Sequence, residues 1–226
     1  MENTFKEKFY GRRKGRTLST GQLDLLQSAL EKNAIHLPID SKFLNIQELF
    51  QQPYDHYNLE IGFGSGEHLI TQAKNNPSTG FIGVEVFLNG LVNCVQQMHA
   101  FRLNNIRLYP DDVRPLLRGI SDESLDQIFI LFPDPWPKAR HHKRRLINPE
   151  NLKIFARLLK LGGKLRIASD DVSYLEWIED IFQKQHDFLL IKRYTKRPPD
   201  WPSTRYEQKA LKKGRVCHYF IFQRLP

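Results

Sequence analysis

The sequence predicts an α/β fold, a mostly parallel, doubly wound sheet covered on both faces and finished by an antiparallel C-terminal strand pair. Three observations carry this. Short apolar runs alternate with amphipathic helical patterns from residue 57 onward, and repeated βα units imply parallel strands. The last two runs, "DFLLIKRY" and "VCHYFIFQ", alternate in the way an antiparallel pair does. The chain has 226 residues, 40% of them hydrophobic, enough for one well-buried domain.

The elements follow in order. Residues 1–56 read as a peripheral region: a basic arm carrying "GRRKGR", then a helix in "STGQLDLLQSALEKN". Ser19 or Thr20 can cap that helix, and Leu23, Leu26 and Leu30 would share the face that docks it. Residues 57–226 form the main domain. "YNLEIGF" reads as a buried strand, with a helix over about Glu67 to Lys74. "GFIGVEVF" is the second strand, and "LNGLVNCVQQMHAFRL" the next helix, with Leu88, Leu91, Val95 and Met98 along one side. "NIRLY" and "LDQIFILF" are the third and fourth strands, the fourth more apolar and so more central. A helix begins at Pro149 after Asn148, and the Gly162-Gly163 pair is expected to end it in a left-handed exit. "KLRIAS" is the fifth strand, followed by a helix in "DVSYLEWIEDIF". The segment "TKRPPDWPSTRYEQKALKKGR" reads as a long ordered loop.

Composition restricts the partners. Lys+Arg number 34 against 25 Asp+Glu, a formal charge of +9, which favours polyanions such as nucleic acid or an anionic membrane surface. Two cysteines, Cys94 and Cys217, make no disulfide framework and fit a reducing cytosol. The N-terminal stretch carries charges where a signal peptide needs an apolar core, and no apolar window reaches bilayer-spanning length. A soluble, cytoplasmic protein is expected, with no membrane association.

Doubly wound sheets bind ligands beyond the carboxyl ends of their strands, where strand order reverses. The first strand-end turn is "EIGFGSGEH", with Glu60, Gly62, Gly64 and Gly66. Its glycines permit positive φ and close approach of a ligand to the backbone. The third glycine stands one residue earlier than in the G-x-G-x-x-G dinucleotide fingerprint. A carboxylate at Glu60 suits a cationic ligand and would repel a pyrophosphate. The second strand ends at Glu85, near the spacing at which an acid grips ribose hydroxyls. The third ends in Asp111-Asp112, acceptors for an adenine amine. Each acid alone also reads as a solvated loop carboxylate; acids at successive strand ends point to a cationic nucleoside without phosphates, a description S-adenosyl-L-methionine fits.

"EIGFGSGEHL", "GVEVF", "LFPDPWPKARHHKRR" and "STRYEQKAL" resemble, in order and spacing, the tRNA (guanine-N7)-methyltransferases. The "PDPWPK…H.KRR" element is the specific one; the glycine turn is shared by many methyltransferases. The resemblance implies a Rossmann-like class I methyltransferase sheet and methyl transfer from S-adenosyl-L-methionine to N7 of a guanine in tRNA, in bacterial members guanine 46 of the variable loop. By motif match, Glu60, Glu85, Asp112 and Asp134 would hold the donor beside the turn glycines, with Asp134 also the catalytic position. Lys138, Asp170, Thr204, Arg205, Tyr206 and Glu207 match tRNA-contacting positions. The doubled Asp111-Asp112, before a shortened loop, departs from the pattern and leaves the donor contact open between the two. A monomer or a homodimer is equally compatible.

The chemistry accounts for "PDPW". Guanine N7 has a lone pair and no proton, so it needs alignment rather than a general base. Positive charge appears on the purine as the methyl arrives, where a fixed carboxylate acts on it. Asp134, locked between Pro133 and Pro135, has little backbone freedom to lose. Trp136 can stack on a base or simply pack, and Lys138 to Arg145 can contact phosphates or face water. Either Asp170 or Asp171 can cap the helix after the fifth strand. Thr204, Arg205 and Glu207 could bond a guanine edge, the carboxylate taking its N1 and N2 protons. "GRRKGR" suits a mobile phosphate-contacting arm or a solubilising tail. His141 and His142 lack Cys or Glu at ligand spacing, so no metal is expected. Three alternatives remain: an adenine-N6 methyltransferase, which would carry an acid followed by two prolines; a nicotinamide oxidoreductase, disfavoured by Gly66; and a non-catalytic basic RNA-binding protein, which would need none of the acids.

Overall fold

The computed structural model describes residues 11–38 and 43–226; the first ten residues of the expected basic arm lie outside them. Among the described residues, seven strands form one sheet in the order β3-β2-β1-β4-β5-β7-β6. The strands are β1 His56–Ile61, β2 Thr79–Val84, β3 Ile106–Tyr109, β4 Leu125–Leu131, β5 Leu159–Ser169, β6 Phe188–Tyr194 and β7 His218–Arg224. The first five are parallel, and β7 runs antiparallel to both β5 and β6. The helices are α1 Thr20–Asn33, α2 Glu67–Asn75, α3 Leu88–Ala100, α4 Val113–Gly119, α5 Pro149–Leu158, α6 Val172–Gln183 and α7 Arg205–Lys212. None among the described residues is long and apolar enough to cross a membrane.

β4 is the middle strand, as its apolar run predicts. Its Ile128 and Ile130 belong to one core with Leu59, Ile82, Leu165 and Phe155. Phe129 and Leu131 point to the other face, with Ala168, Trp201 and Tyr219. A strand buried on both sides needs such continuous apolarity. The third cluster joins α1 to the sheet edge: Leu26 packs with Leu91, Val95 and Leu108.

α1 is closed by a full capping box, in which the Ser19 hydroxyl accepts from the Gln22 N–H and the Gln22 side chain accepts from the Ser19 N–H. Its docking face is rotated from the expected one. Leu26 is buried, and Leu25, Ala29 and Leu30 pack beside it, while Leu23 is 48% exposed. Beyond the helix the Ile35 N–H bonds the Leu108 carbonyl, so this segment covers the β3 edge.

α5 starts at Pro149 with Asn148 as its cap but ends at Leu158, four residues before Gly162. Leu159 turns extended and pairs at once with Leu125. The glycine pair instead makes the jog between Leu125 and Gln127 in the β4–β5 pairing. There Gly162 takes φ +77° and a Cβ on Gly163 would lie 2.8 Å from the Lys160 carbonyl. The tertiary strand pairing overrides the local exit signal. Two helices were not anticipated. α4 is capped by Asp112, and α7 sits inside the expected long loop with Thr204 as its cap.

Candidate functional site

A cleft of about 1090 Å³ opens at the carboxyl ends of β1 and β4, where strand order reverses. Of the residues the sequence singles out, Gly62, Gly64, Glu85, Asp111, Asp112, Asp134, Arg205 and Tyr206 line it. Four carboxylates, Glu85, Asp111, Asp112 and Asp134, share its wall with basic side chains that include Arg12, Arg16, Lys143 and Arg205.

The glycine turn forms the floor. Gly62, Gly64 and Gly66 have φ of 75°, 61° and 86°, a region strained for any side chain. A Cβ on Gly62 would meet nothing within 4 Å, so it would project into open cleft where a ligand can lie against the backbone. Gly66 does not line the cleft; it is the N-cap of α2 and leaves room for Cys94. The turn is buttressed by α3. A Cβ on Gly90 would overlap the Gly64 carbonyl, and the Gln97 amide donates to the Ser65 carbonyl. Gly90 therefore shapes the turn although it lies 24 residues further along the chain. Its only sequence signal is a glycine inside a helical pattern.

Glu85, at the end of β2, accepts hydrogen bonds from the backbone N–H groups of Gly64, Val86 and Phe87 at 2.8, 2.8 and 2.9 Å. An ionised carboxylate has about four acceptor sites, so roughly one remains for the cleft. Burial raises its pKa, and the three N–H bonds only partly offset this. Asp112 caps α4 and is gripped by the Arg114 guanidinium. Burial pushes its pKa up, but the Arg114 bonds and charge outweigh that and hold it below the usual range. Asp111 pairs with Arg13 at 2.8 Å.

Asp134 stands at the rim after β4. Phe132 (φ 52°) and Trp136 (φ 44°) both take left-handed conformations around it, an arrangement that costs energy and collects at functional sites. The residue surface stays open to the cleft, yet nearby protein mass raises the carboxyl's pKa by desolvation. Arg145 holds the loop. Only 1% exposed, it donates to the Pro135 carbonyl at 2.8 Å and the Ser173 hydroxyl at 2.9 Å, and stacks over Tyr174 and Trp177. The expectation that the whole run to Arg145 contacts phosphate is corrected at this residue. Arg144 lies 4.9 Å over the Trp136 ring, so one indole face is already covered.

The structure does not bring the other expected residues to the cleft. Glu60 is 4% exposed and its carboxylate turns to His68 Nδ1 at 2.7 Å, behind the turn. Lys138 is exposed at the start of a short 3-10 turn. Asp170 pairs with Arg215 at 2.9 Å, and Asp171, not Asp170, caps α6. Thr204 caps α7. Glu207 is 3% exposed and both its oxygens are engaged, by Tyr219 at 2.5 Å, Ser203 at 2.6 Å and Arg197 at 3.0 Å. In this structure burial, together with these three bonds, turns it away from the cleft. Arg205 instead reaches Ser65 and Glu67, and Tyr206 closes over Gly64, whose Cβ would lie 2.8 Å from its ring.

This sheet order, with a carboxylate-bearing cleft at its switch point, is that of a class I methyltransferase. The 16S rRNA methyltransferase KamB shares the fold at TM-score 0.59 and 14% identity, over 93% of this chain and 96% of that one. A family model described as "Putative methyltransferase" matches residues 55–219. The tRNA (guanine-N(7)-)-methyltransferase of Rhodospirillum rubrum is 44% identical, over 97% of this chain and 88% of its own length. That of Paramagnetospirillum magneticum is 42% identical, over 97% and 93%. The chain belongs to the tRNA (guanine-N(7)-)-methyltransferase family.

Proposed function

We propose that this protein transfers a methyl group from S-adenosyl-L-methionine to N7 of a guanine in tRNA. The observation that carries the reading is a strand-end cleft holding Glu85, Asp111, Asp112 and Asp134 in a chain of this family. The donor set fits such a ligand: carboxylates for a cation and an open Gly62 backbone. When bound, the donor supplies a methyl group on a cationic sulfur.

The chain's residues then divide the work. Glu85 keeps an acceptor site for ribose hydroxyls, since the backbone N–H groups already fix its orientation. Asp112, held ionised by Arg114, stands at the base end of the nucleoside and reaches an adenine amine by giving up one of its Arg114 bonds, with Asp111 turned toward Arg13. Asp134 is aimed where positive charge develops on the guanine, and its proline neighbours and Arg145 remove the freedom it would otherwise lose on reaching the transition state. Arg205 and Tyr206, on the first turn of α7, meet the guanine from the far side of the cleft. Lys138, the flanking basic residues and Asp170 lie outward, on the tRNA side. Glu60, Thr204 and Glu207 act by positioning the turn and α7. A volume of 1090 Å³ exceeds the roughly 300–1,000 Å³ of ordinary small-molecule pockets, leaving room for a base beside the donor.

The test is incubation of unmodified tRNA with methyl-labelled donor, followed by borohydride–aniline cleavage. Label incorporation with one scission in the variable loop is expected. Label on another base, or none, would overturn the reading.

A further inference from the structure

The described part of the basic arm is not a free tail. Residues 11–18 cross the mouth of the cleft, where Gly11, Arg12, Gly15, Arg16, Thr17 and Leu18 form part of its wall. Helix α3 begins at Phe87 without any capping side chain, which leaves its first N–H groups wanting acceptors. The arm supplies one: the Leu88 N–H bonds the Arg13 carbonyl at 2.9 Å. Asn89 then grips the arm in both directions. Its amide oxygen accepts from the Gly15 N–H and its amide nitrogen donates to the Arg16 carbonyl, each at 2.9 Å. Gly15 is needed for this approach, because a Cβ there would lie 2.6 Å from the Asn89 oxygen and 2.7 Å from the Phe87 ring. Arg13 reaches across to Asp111 at 2.8 Å, and the Arg12 guanidinium sits 5.7 Å over the Phe87 ring.

These anchors fall at meaningful places. Phe87 follows Glu85 by two residues, and Asp111 follows β3, so the arm spans the ends of β2 and β3, over the nucleoside end of the cleft. The arm itself stays open to water: Arg12, Arg13, Lys14, Arg16 and Thr17 are exposed. The Arg13–Asp111 pair is about half exposed on both sides, so it is screened by salt and adds little. A surface segment held by polar contacts more than by burial can lift and re-dock.

We propose that residues 11–18 form a removable wall of the cleft, clamped by Asn89, that covers the nucleoside end of the methyl donor and sets the rate at which spent donor leaves. The inference rests on the donor occupying this cleft. Bound donor holds the arm down, and the arm must lift before S-adenosyl-L-homocysteine escapes. Asn89 and Gly15 are positioning residues, so their loss changes residence time while leaving the carboxylates of the cleft in place.

The experiment uses the full chain as wild type, Asn89→Ala and Gly15→Val. Dissociation of labelled S-adenosyl-L-homocysteine is followed after a chase with unlabelled product. Trypsin cleavage at Arg12, Arg13, Lys14 and Arg16, read by intact mass, reports whether the arm is docked. The product should slow cleavage in the wild type, and both variants should cut faster and release product about tenfold faster. If a variant frees its arm to trypsin and releases product at the wild-type rate, the arm is no wall and the inference falls. It falls equally if neither variant frees the arm, since Asn89 is then no clamp. A wild type that does not bind the product at all would instead sink the assignment of the cleft.

Discussion

At the residue scale the site sets two carboxyls against their own solvation. Burial raises the pKa of both Glu85 and Asp134, and each is the other's neighbour in charge. A carboxyl with a raised folded-state pKa adds stability below its unfolded pKa, and that contribution is lost as pH rises through the folded value. Ionising either group therefore costs the fold some stability, and that cost belongs to function. Two outcomes follow for Asp134→Asn. Turnover should fall roughly 100-fold or more, the scale of one preorganised electrostatic group, with little change in tRNA affinity by filter binding. Its melting temperature at neutral pH should stay level or rise. In the wild type, the single-turnover rate should fall as pH drops, through a midpoint above the ordinary aspartate value of 3.8. A rate flat down to the ordinary aspartate range would contradict a working carboxylate here.

At the element scale, the loop after β4 is the part whose shape is most expensive and most firmly held. Left-handed Phe132 and Trp136 bracket Asp134, and no local preference keeps them there. Arg145 does, by tying Pro135 to Ser173 of α6 and stacking on two aromatic rings. Arg145→Ala removes a fully buried side chain and orphans its acceptors. It should destabilise the fold by roughly 2–4 kcal/mol, measured by urea unfolding, and lower turnover besides. Arg144→Ala removes a half-buried side chain that lies over the Trp136 ring, against the fully buried fork of Arg145, and should cost less stability. Equal losses in the two variants would show that burial of the Arg145 fork is not what fixes the loop.

At the scale of the whole molecule, charges of both signs meet at the cleft. Glu85, Asp111, Asp112 and Asp134 line it together with Arg12, Arg16, Lys143, Arg144, Arg205 and Lys209. The chain's +9 thus supplies basic groups for a polyanion beside carboxylates for a cation. Binding through the basic groups releases counterions. Affinity for tRNA should fall by at least tenfold between 50 and 200 mM salt, read from the slope of log affinity against log salt. Donor affinity, set by the sheltered acids, should change far less. A flat tRNA slope would remove the proposed outer groove.

The local signals were legible wherever a residue's task depends on its near neighbours in sequence. The Ser19 box, the Asn148-Pro149 start, the positive φ of the three turn glycines and the central place of β4 all follow from short-range sterics or from apolar periodicity. So did the placing of Glu85, Asp112 and Asp134 at successive strand ends, because strand ends are set by those same patterns. What only the tertiary structure decided is where each side chain points and what it meets there. Glu60 turns behind its strand to His68; Glu207 is held by Tyr219, Ser203 and Arg197; the basic run divides into exposed and half-buried residues and one fully buried arginine; and the arm lies across the cleft on Asn89. Each of these depends on partners that packing brings together, from the neighbouring helix to a segment 74 residues away. Type and spacing constrain the backbone within a few residues, but hydrogen-bond saturation and burial are properties of packed neighbours, which the chain acquires only on folding.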